Sequence, residues 1–302
     1  MVINNETKVL QTKRTTAELH RIIADKVITA MKTSSTNWTK SWSVPTSDQP
    51  TSMSSGKPYN GINWLLLSMS RSINGYQSGR WATFNQWKAL GASVRKGEKS
   101  EMVILYKPIK VTDKVTGEDK QVGLMRSFNV FNADQVEGYD VPVETHYFED
   151  MPATAADKLA AAVSADIRHT DKAGAFYVPS IDFINMPLQA QFKSPECYAA
   201  TLLHELTHWT GHETRCDRDI KNAFGSKDYA FEELVAELGA AMLCGSLGIS
   251  NEPRDDHAKY LSGWITKLQD DPKAIFSAAA KAQAAATFIL EVQQKADEQI
   301  AA

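Results

Sequence analysis

The chain has 302 residues, room for about two domains at roughly 150 residues each and for more than one sizeable core. With 43% hydrophobic and 23% charged residues it is neither collagen-like nor wholly disordered, and no continuous run approaches the ~20 apolar residues of a membrane helix, so no membrane partner is expected. The net charge of −3 hides an asymmetry: residues 1–145 carry 19 Lys and Arg against 13 Asp and Glu, and residues 146–302 carry 14 against 23. A polyanion, if one binds, is therefore expected on the first half; the alternative is a chance partition between two domains.

In chain order, the first 16 residues lack an apolar core of signal-peptide length, which points to a cytoplasmic protein. Three widely spaced cysteines, Cys197, Cys216 and Cys244, suit a reducing compartment better than a disulfide framework. Residues 15–33 carry Leu19, Ile22, Ile23, Val27 and Met31 at helical spacing, which predicts an amphipathic helix. The polar stretch 34–57 holds Trp38 and Trp42 and reads as an ordered loop. Helices are expected over 60–73 and, more briefly, over 84–90, where Gly91 ends the pattern. The apolar run 102–106, extended by Ile109 and Val111, faces residues 124–132 across a charged turn containing Gly117, which predicts a hairpin or small antiparallel sheet. Pro, Glu and Asp cluster between Gly138 and Pro152 and mark a domain boundary, placed here between 145 and 146. Beyond it, helices are expected over 154–168, 195–212, 229–247 and 255–300, the last broken at Asp271-Pro272, with short strands near Tyr177-Val178 and Asp182-Phe183-Ile184. The fold class is α+β: a small antiparallel sheet with helices, followed by a mostly helical domain.

The sharpest motif is His204-Glu205-Leu206-Thr207-His208, an H-E-x-x-H pattern. Two histidines four apart project from one helix face and can reach one zinc ion, and Glu205 is placed to take a proton from a water on that ion. Ala199, Leu202, Leu203 and Leu206 form the apolar stripe of the same helix, with Ser194 and Pro195 at its start and Gly211 at its stop. A third ligand is needed. Gly211 fits a metzincin extension, but Thr214 stands where that pattern requires histidine, and His212 falls two residues short. The following segment, FEELVAELGAAML, offers Glu232, Glu233 and Glu237 instead. Glu233 and Glu237 share a helix face, so Glu233 is taken as the ligand and Glu237 as the carboxylate holding His204 or His208, with their exchange left open. Glu232 is expected to point elsewhere. Tyr229 is a candidate oxyanion stabiliser, and Arg215 and Arg218 could neutralise nearby carboxylates; a purely structural role is the alternative for each. Zinc is the default metal for this donor set, and other divalent ions suit it as well.

In the first half, aromatics alternate with cations, as single-stranded nucleic acid requires. The candidates are Lys57, Tyr59, Arg80, Trp81 and the basic turn Arg95, Lys96 and Lys99. The alternative is a solvated charged face over a core that contains Trp64 and Trp87.

Four strings, 57–63 (KPYNGIN), 81–87 (WATFNQW), 91–99 (GASVRKGEK) and 131–138 (FNADQVEG), together resemble the N-terminal single-stranded DNA-binding domain of the ArdC antirestriction family, which also begins plasmid primases of the TraC type. Residues 204–215 (HELTHWTGHETR), 224–243 and 270–285 resemble the metallopeptidase domain that follows it, similar in fold to Spartan-type proteases. The resemblance implies a conjugative-plasmid protein that binds single-stranded DNA, with double-stranded DNA a further candidate, and protects incoming DNA from restriction. It implies His204 and His208 as metal ligands and Glu205 as catalytic base. A restriction enzyme or another DNA-bound or crosslinked protein is the implied partner or substrate. Whether peptide hydrolysis serves the protection is left open by the motif.

Overall fold

A computed structural model describes residues 14–33, 49–112, 117, 119–140, 151–171, 174–220, 226–249 and 258–301. Trp38, Trp42 and the expected domain boundary at 145/146 lie outside these residues.

Helix α1 (Thr16–Thr33) buries Leu19, Ile23, Val27 and Met31 on one stripe, as the spacing predicts, while Ile22 sits at the edge of that stripe and remains exposed. Strand β1 (Thr51–Ser52) leads into α2 (Gly61–Asn74), which buries Trp64, Leu65, Leu66 and Leu67 in succession. Gly75 closes α2 in the left-handed region at φ 70°. Arg71 is also buried there, its Nε donating to the Tyr76 carbonyl at 3.1 Å, so this cation serves the helix end. After β2 (Arg80–Ala82), the short helix α3 (Phe84–Ala89) starts on a reciprocal cap between Thr83 and Gln86. Strands β3 (Ser93–Val94), β4 (Glu101–Thr112), β5 (Asp119–Asn132) and β6 (Val136–Glu137) complete the first half. The sheet order is β1-β2-β5-β4, with β3 and β6 as a separate pair. The expected hairpin is the long β4–β5 ribbon, but β1 and β2 run parallel, so the sheet is mixed.

The second half opens with α4 (Pro152–Ala162). The helix predicted over 154–168 ends early: Ser164 has a φ of 56°, and residues after it form β7 (Asp166–Thr170). That strand lies parallel to β9 (Phe183–Pro187), which also pairs antiparallel with β8 (Phe176–Val178). Four helices follow: α5 (Pro195–Trp209), α6 (Lys227–Leu247), α7 (Ala258–Asp270) and α8 (Ala274–Ala301). The expected break at Asp271-Pro272 separates the last two. By length and composition α8 is apolar enough to cross a membrane, because alanines raise its hydropathy without forming a bulky run. It buries Ala278, Ala279, Ala282, Ala286 and Ile289, and packs most extensively on α6.

One core runs through both halves. Leu19, Ile23, Met31, Trp64, Leu65 and Leu66 belong to the same buried cluster as Leu202, Leu206, Leu238, Trp264, Ile275 and Ile289. Helix α1 packs on α7, and α2 packs on α8. Polar ties accompany this contact: Gly61 N donates to Gln283 Oε1 at 3.0 Å, and Gln49 Nε2 donates to Ser246 Oγ at 2.6 Å.

Candidate metal centre

Helix α5 starts where Ser194 Oγ accepts from Cys197 N at 3.2 Å, with Pro195 in the first turn, where its missing N–H costs nothing. Ala199, Leu202, Leu203 and Leu206 are fully buried, as the stripe predicts. His204 and Glu205 are buried too, at 1% and 3% exposure, because neighbouring helices and β8–β9 cover the other faces of α5. Helix α6 crosses α5 closely. A Cβ added at Gly239 would lie 2.4 Å from Thr207 Cγ2, so only glycine permits this approach. The crossing brings the first turns of α6 against the histidines.

The ligand-type atoms of His204, His208 and Glu233 lie within 4.8 Å of one another. The two Nε2 atoms face each other at 3.1 Å. Glu233 places Oε2 3.5 Å from His204 Nε2 and Oε1 3.6 Å from His208 Nε2. Two nitrogens bound at about 2.0–2.1 Å and a tetrahedral angle stand about 3.3–3.4 Å apart, so these separations fit one ion between the three side chains. The charge balance fits as well. Glu205, Glu232, Glu233 and Glu237 are all buried, with Arg218 as the buried guanidinium beside them.

The outer nitrogens of both imidazoles face carboxylates. His204 Nδ1 lies 3.0 Å from Glu237 Oε1, and His208 Nδ1 lies 3.3 Å from Glu232 Oε1. Glu237 thus takes the place expected of it, on His204. Glu232 corrects the sequence reading: it points at His208, not away. It is held there by Arg218, whose Nε and Nη2 donate to its two oxygens at 3.1 and 2.8 Å. Arg218 also donates to Thr210 Oγ1 at 2.7 Å and to the Thr207 carbonyl at 2.6 Å, which ties the segment after α5 to the helix. Burial alone would lower the His208 pKa, but the bonds to Glu232 and Glu233 outweigh it and push it up to about 10. Burial works to raise Glu233 and Glu232, and their imidazole and guanidinium partners hold both below the usual carboxylate range. The site is therefore built for positive charge.

Tyr229 stands one turn before Glu233. Burial, its bond to Tyr260 and the Glu233 charge all push its phenol well above the ordinary value, so it stays a proton donor beside the cluster. Its oxygen is 3.4 Å from that of Tyr260 on α7, a neighbour that helix periodicity could not reveal. Arg215 pairs with Asp182 and stacks over Trp209 at 3.8 Å, a structural role away from the ligand atoms. Cys244 is buried, and desolvation together with the Glu237 charge pushes its thiol up to about 12.

The sequence-predicted DNA residues are more scattered. Trp81 is fully buried among Leu67, Val103 and Val130, edge-on to Tyr76 at 5.9 Å, so it cannot stack on a base as expected; the centre of a sheet strand keeps its ring inside. Tyr59 packs half-buried against the same cluster, and Lys57 beside it is exposed. Arg80 is half-buried opposite Thr51. Arg95 donates to Glu98 through Nε at 3.0 Å and Nη2 at 2.7 Å, and also to the Asp134 carbonyl. Lys96 and Lys99 are exposed on that turn.

A helix with paired histidines, a glutamate from the next helix and a small sheet beside them define a zincin-like metallopeptidase domain. Residues 154–281 match the family described as zincin-like metallopeptidase, and residues 17–131 match the N-terminal domain of the anti-restriction factor ArdC. The crystal structure of the antirestriction ArdC protein from plasmid R388, metal-free, superposes with a TM-score of 0.79 at 38% identity, covering 92% of this chain and 98% of that one. Its Mn(II)-bound structure gives 0.76 at 37% identity, covering 91% and 98%. The uncharacterized protein y4eC of Sinorhizobium fredii (strain NBRC 101917 / NGR234) is 36% identical over 95% of this chain and 96% of its own length. The DNA primase TraC of Escherichia coli is 39% identical over 91% of this chain, which spans only 27% of the primase. The chain belongs to the ArdC antirestriction family.

Proposed function

We propose that the protein binds single-stranded DNA through its basic half and protects DNA entering a recipient cell from restriction, working in the cytoplasm, with a zinc-dependent peptidase centre in its second half. The observation that carries the reading is the convergence of His204, His208 and Glu233 in a family whose R388 member has an Mn(II)-bound structure. His204, His208 and Glu233 would hold the ion, and Glu232 and Glu237 fix the orientation of the imidazoles through their Nδ1 atoms. A bound divalent ion supplies Lewis acidity, lowering the pKa of water and polarising a carbonyl. Glu205, buried beside His204, serves as the general base that takes the proton from the attacking water and passes it to the leaving amine. Tyr229 donates its phenolic hydrogen to the developing oxyanion. The charge of residues 1–145 and the similarity to a DNA primase support the nucleic-acid reading.

A second reading makes the protein a DNA-dependent metalloprotease acting on DNA-bound or crosslinked proteins, supported by the buried Glu205 beside a full donor set. Glu205→Gln separates the two. It should retain metal and fold while abolishing hydrolysis of a DNA-bound protein substrate. If protection from restriction persists undiminished in a conjugation assay, shielding of DNA is the mechanism and proteolysis is not. If protection is lost with hydrolysis, the protease reading stands.

A further inference from the structure

The β4–β5 ribbon pairs from Glu101–Val130 out to Thr112–Asp119, but its neighbours accompany only its base. On one side β2 pairs with β5 at Asn132 and Phe131 alone. On the other, Asn63 of α2 substitutes for a strand: its side-chain amide donates to the Ile104 carbonyl and accepts from Ile104 N, both at 2.7 Å. Past that clamp the exposure jumps. Ile104 is 7% exposed, Leu105 49% and Tyr106 63%. Residues directly opposite in an antiparallel pair share a face. Leu105 stands opposite Arg126, Lys107 opposite Leu124, and Val103 opposite Phe128. One face of the ribbon therefore carries the 43%-exposed ring of Phe128 beside the exposed cations Arg126 and Lys107. Tyr106 lies on the other face. Along the paired strands 101–112 and 119–130 the charges are Lys107, Lys110, Lys120 and Arg126 against Asp119, which accepts a bond from Thr112, and Glu101, which pairs with Lys26 of α1.

We infer that the outer part of this ribbon is the arm that binds single-stranded DNA, with Phe128 stacking on a base and Arg126 and Lys107 holding the phosphates that run from it toward the ribbon tip. The inference rests on the nucleic-acid reading above and gives it a place that the buried Trp81 cannot supply. An exposed ring followed outward on the same face by two cations, the carboxylate on its inner side, Glu101, being engaged by Lys26, matches what unpaired bases on a phosphate backbone need. A protein-docking face is depleted of charge at its centre, which this face is not. A duplex hides base faces inside its stack, so the ring selects single strands.

The test is fluorescence anisotropy of labelled oligo(dT) with the full-length protein at two salt concentrations, together with ultraviolet crosslinking of the unsubstituted protein to an oligonucleotide carrying 5-iodouracil. Phe128→Leu keeps an apolar side chain opposite Val103 and should weaken binding by about tenfold, since base stacking on an aromatic ring accounts for that much. The double variant Arg126→Ala, Lys107→Ala should flatten the salt dependence by about 1.4 in log–log slope, from ~0.7 per phosphate contact. Tyr106→Ala, on the opposite face, should bind as the unsubstituted protein does. Crosslinks should map to 124–130, an outcome that needs no variant to fold. If the unsubstituted protein binds while Phe128→Leu is unchanged, or the crosslinks map to the 95–99 turn, the arm is not the site and the nucleic-acid reading survives. If the unsubstituted protein binds no oligonucleotide, that reading falls and takes the arm with it.

Discussion

Glu232 and Glu237 touch different imidazoles and differ in what else they hold. Each keeps one histidine's far nitrogen engaged, and losing such a partner typically costs 10–100-fold in metal affinity. Glu237→Gln and Glu232→Gln should therefore both weaken metal binding by about that factor, as read by competition with a chromophoric chelator. Glu232 also neutralises Arg218 inside the protein, so removing its charge strands a buried guanidinium and should cost about 3–5 kcal/mol in urea unfolding of the metal-free protein. Glu237→Gln should cost clearly less. Equal destabilisation by the two would refute the distinction. The H-E-x-x-H pair was legible in the sequence because intrahelical spacing alone puts it on one face, and the same spacing narrowed the third ligand to Glu233 or Glu237 without choosing between them. Glu232 was not, because its direction depends on how α6 crosses α5 and on a guanidinium fourteen residues upstream. Trp81 was misread for a related reason: a Trp beside an Arg looks the same in sequence whether the strand that carries it is central or at an edge.

At the scale of elements, the centre depends on two close fits around α5. The first is the α5–α6 crossing at Gly239. Gly239→Ala forces a methyl into Thr207 and should destabilise by about 1–3 kcal/mol, the usual cost of overpacking, and metal affinity should fall because Glu233 and Glu237 ride on the displaced helix. Unchanged affinity in a calorimetric titration would mean that α6 adjusts without moving its carboxylates. The second is the latch after α5, where Asp182 pairs with Arg215 and accepts from Tyr177 Oη at 2.7 Å. The Arg215 bond holds the Asp182 carboxyl below its ordinary value. A group whose native pKa is depressed stabilises the fold above its unfolded pKa of about 3.9, and that stabilisation is lost as pH falls through the lower native value. Asp182→Asn should therefore lower Tm at neutral pH by a modest amount, the pair being partly exposed, and the difference should close below about pH 4. A constant difference across that range would show that the charge is not what matters. Element types were legible wherever hydrophobic spacing persisted, as in α1, α5 and α8. The end of α4 was not, because no Gly or Pro interrupts residues 163–168 and only the pairing of β7 with β9 turns the residues after Ala165 into a strand.

At the scale of the whole molecule, composition suggests two domains, and the packing joins them. The apolar faces of α1 and α2 are buried against α7 and α8, so these helices of the first half complete their core only with the second, while two smaller clusters around Trp81 and Trp87 lie within the first half itself. The sequence could not show this, since an amphipathic stripe states that something covers it and not what. The consequence is a single cooperative unit. Leu66, fully buried in the shared cluster, is a suitable probe: Leu66→Ala should cost about 2–5 kcal/mol. If the core is shared, the loss should appear as one shifted transition, the same by Trp fluorescence, which is weighted to the first half, and by retention of metal, which reports on the second. Separate domains would give a first-half transition that moves while metal retention stays put. The same continuity bears on the proposed division of labour. The ribbon arm stands on α2 through Asn63, α2 packs on α8, and α8 packs on α6, which carries Glu233. DNA held on the arm and a metal held by α5 and α6 thus stabilise one folded state, and each should raise the Tm measured in the presence of the other, by mass action on a common native form.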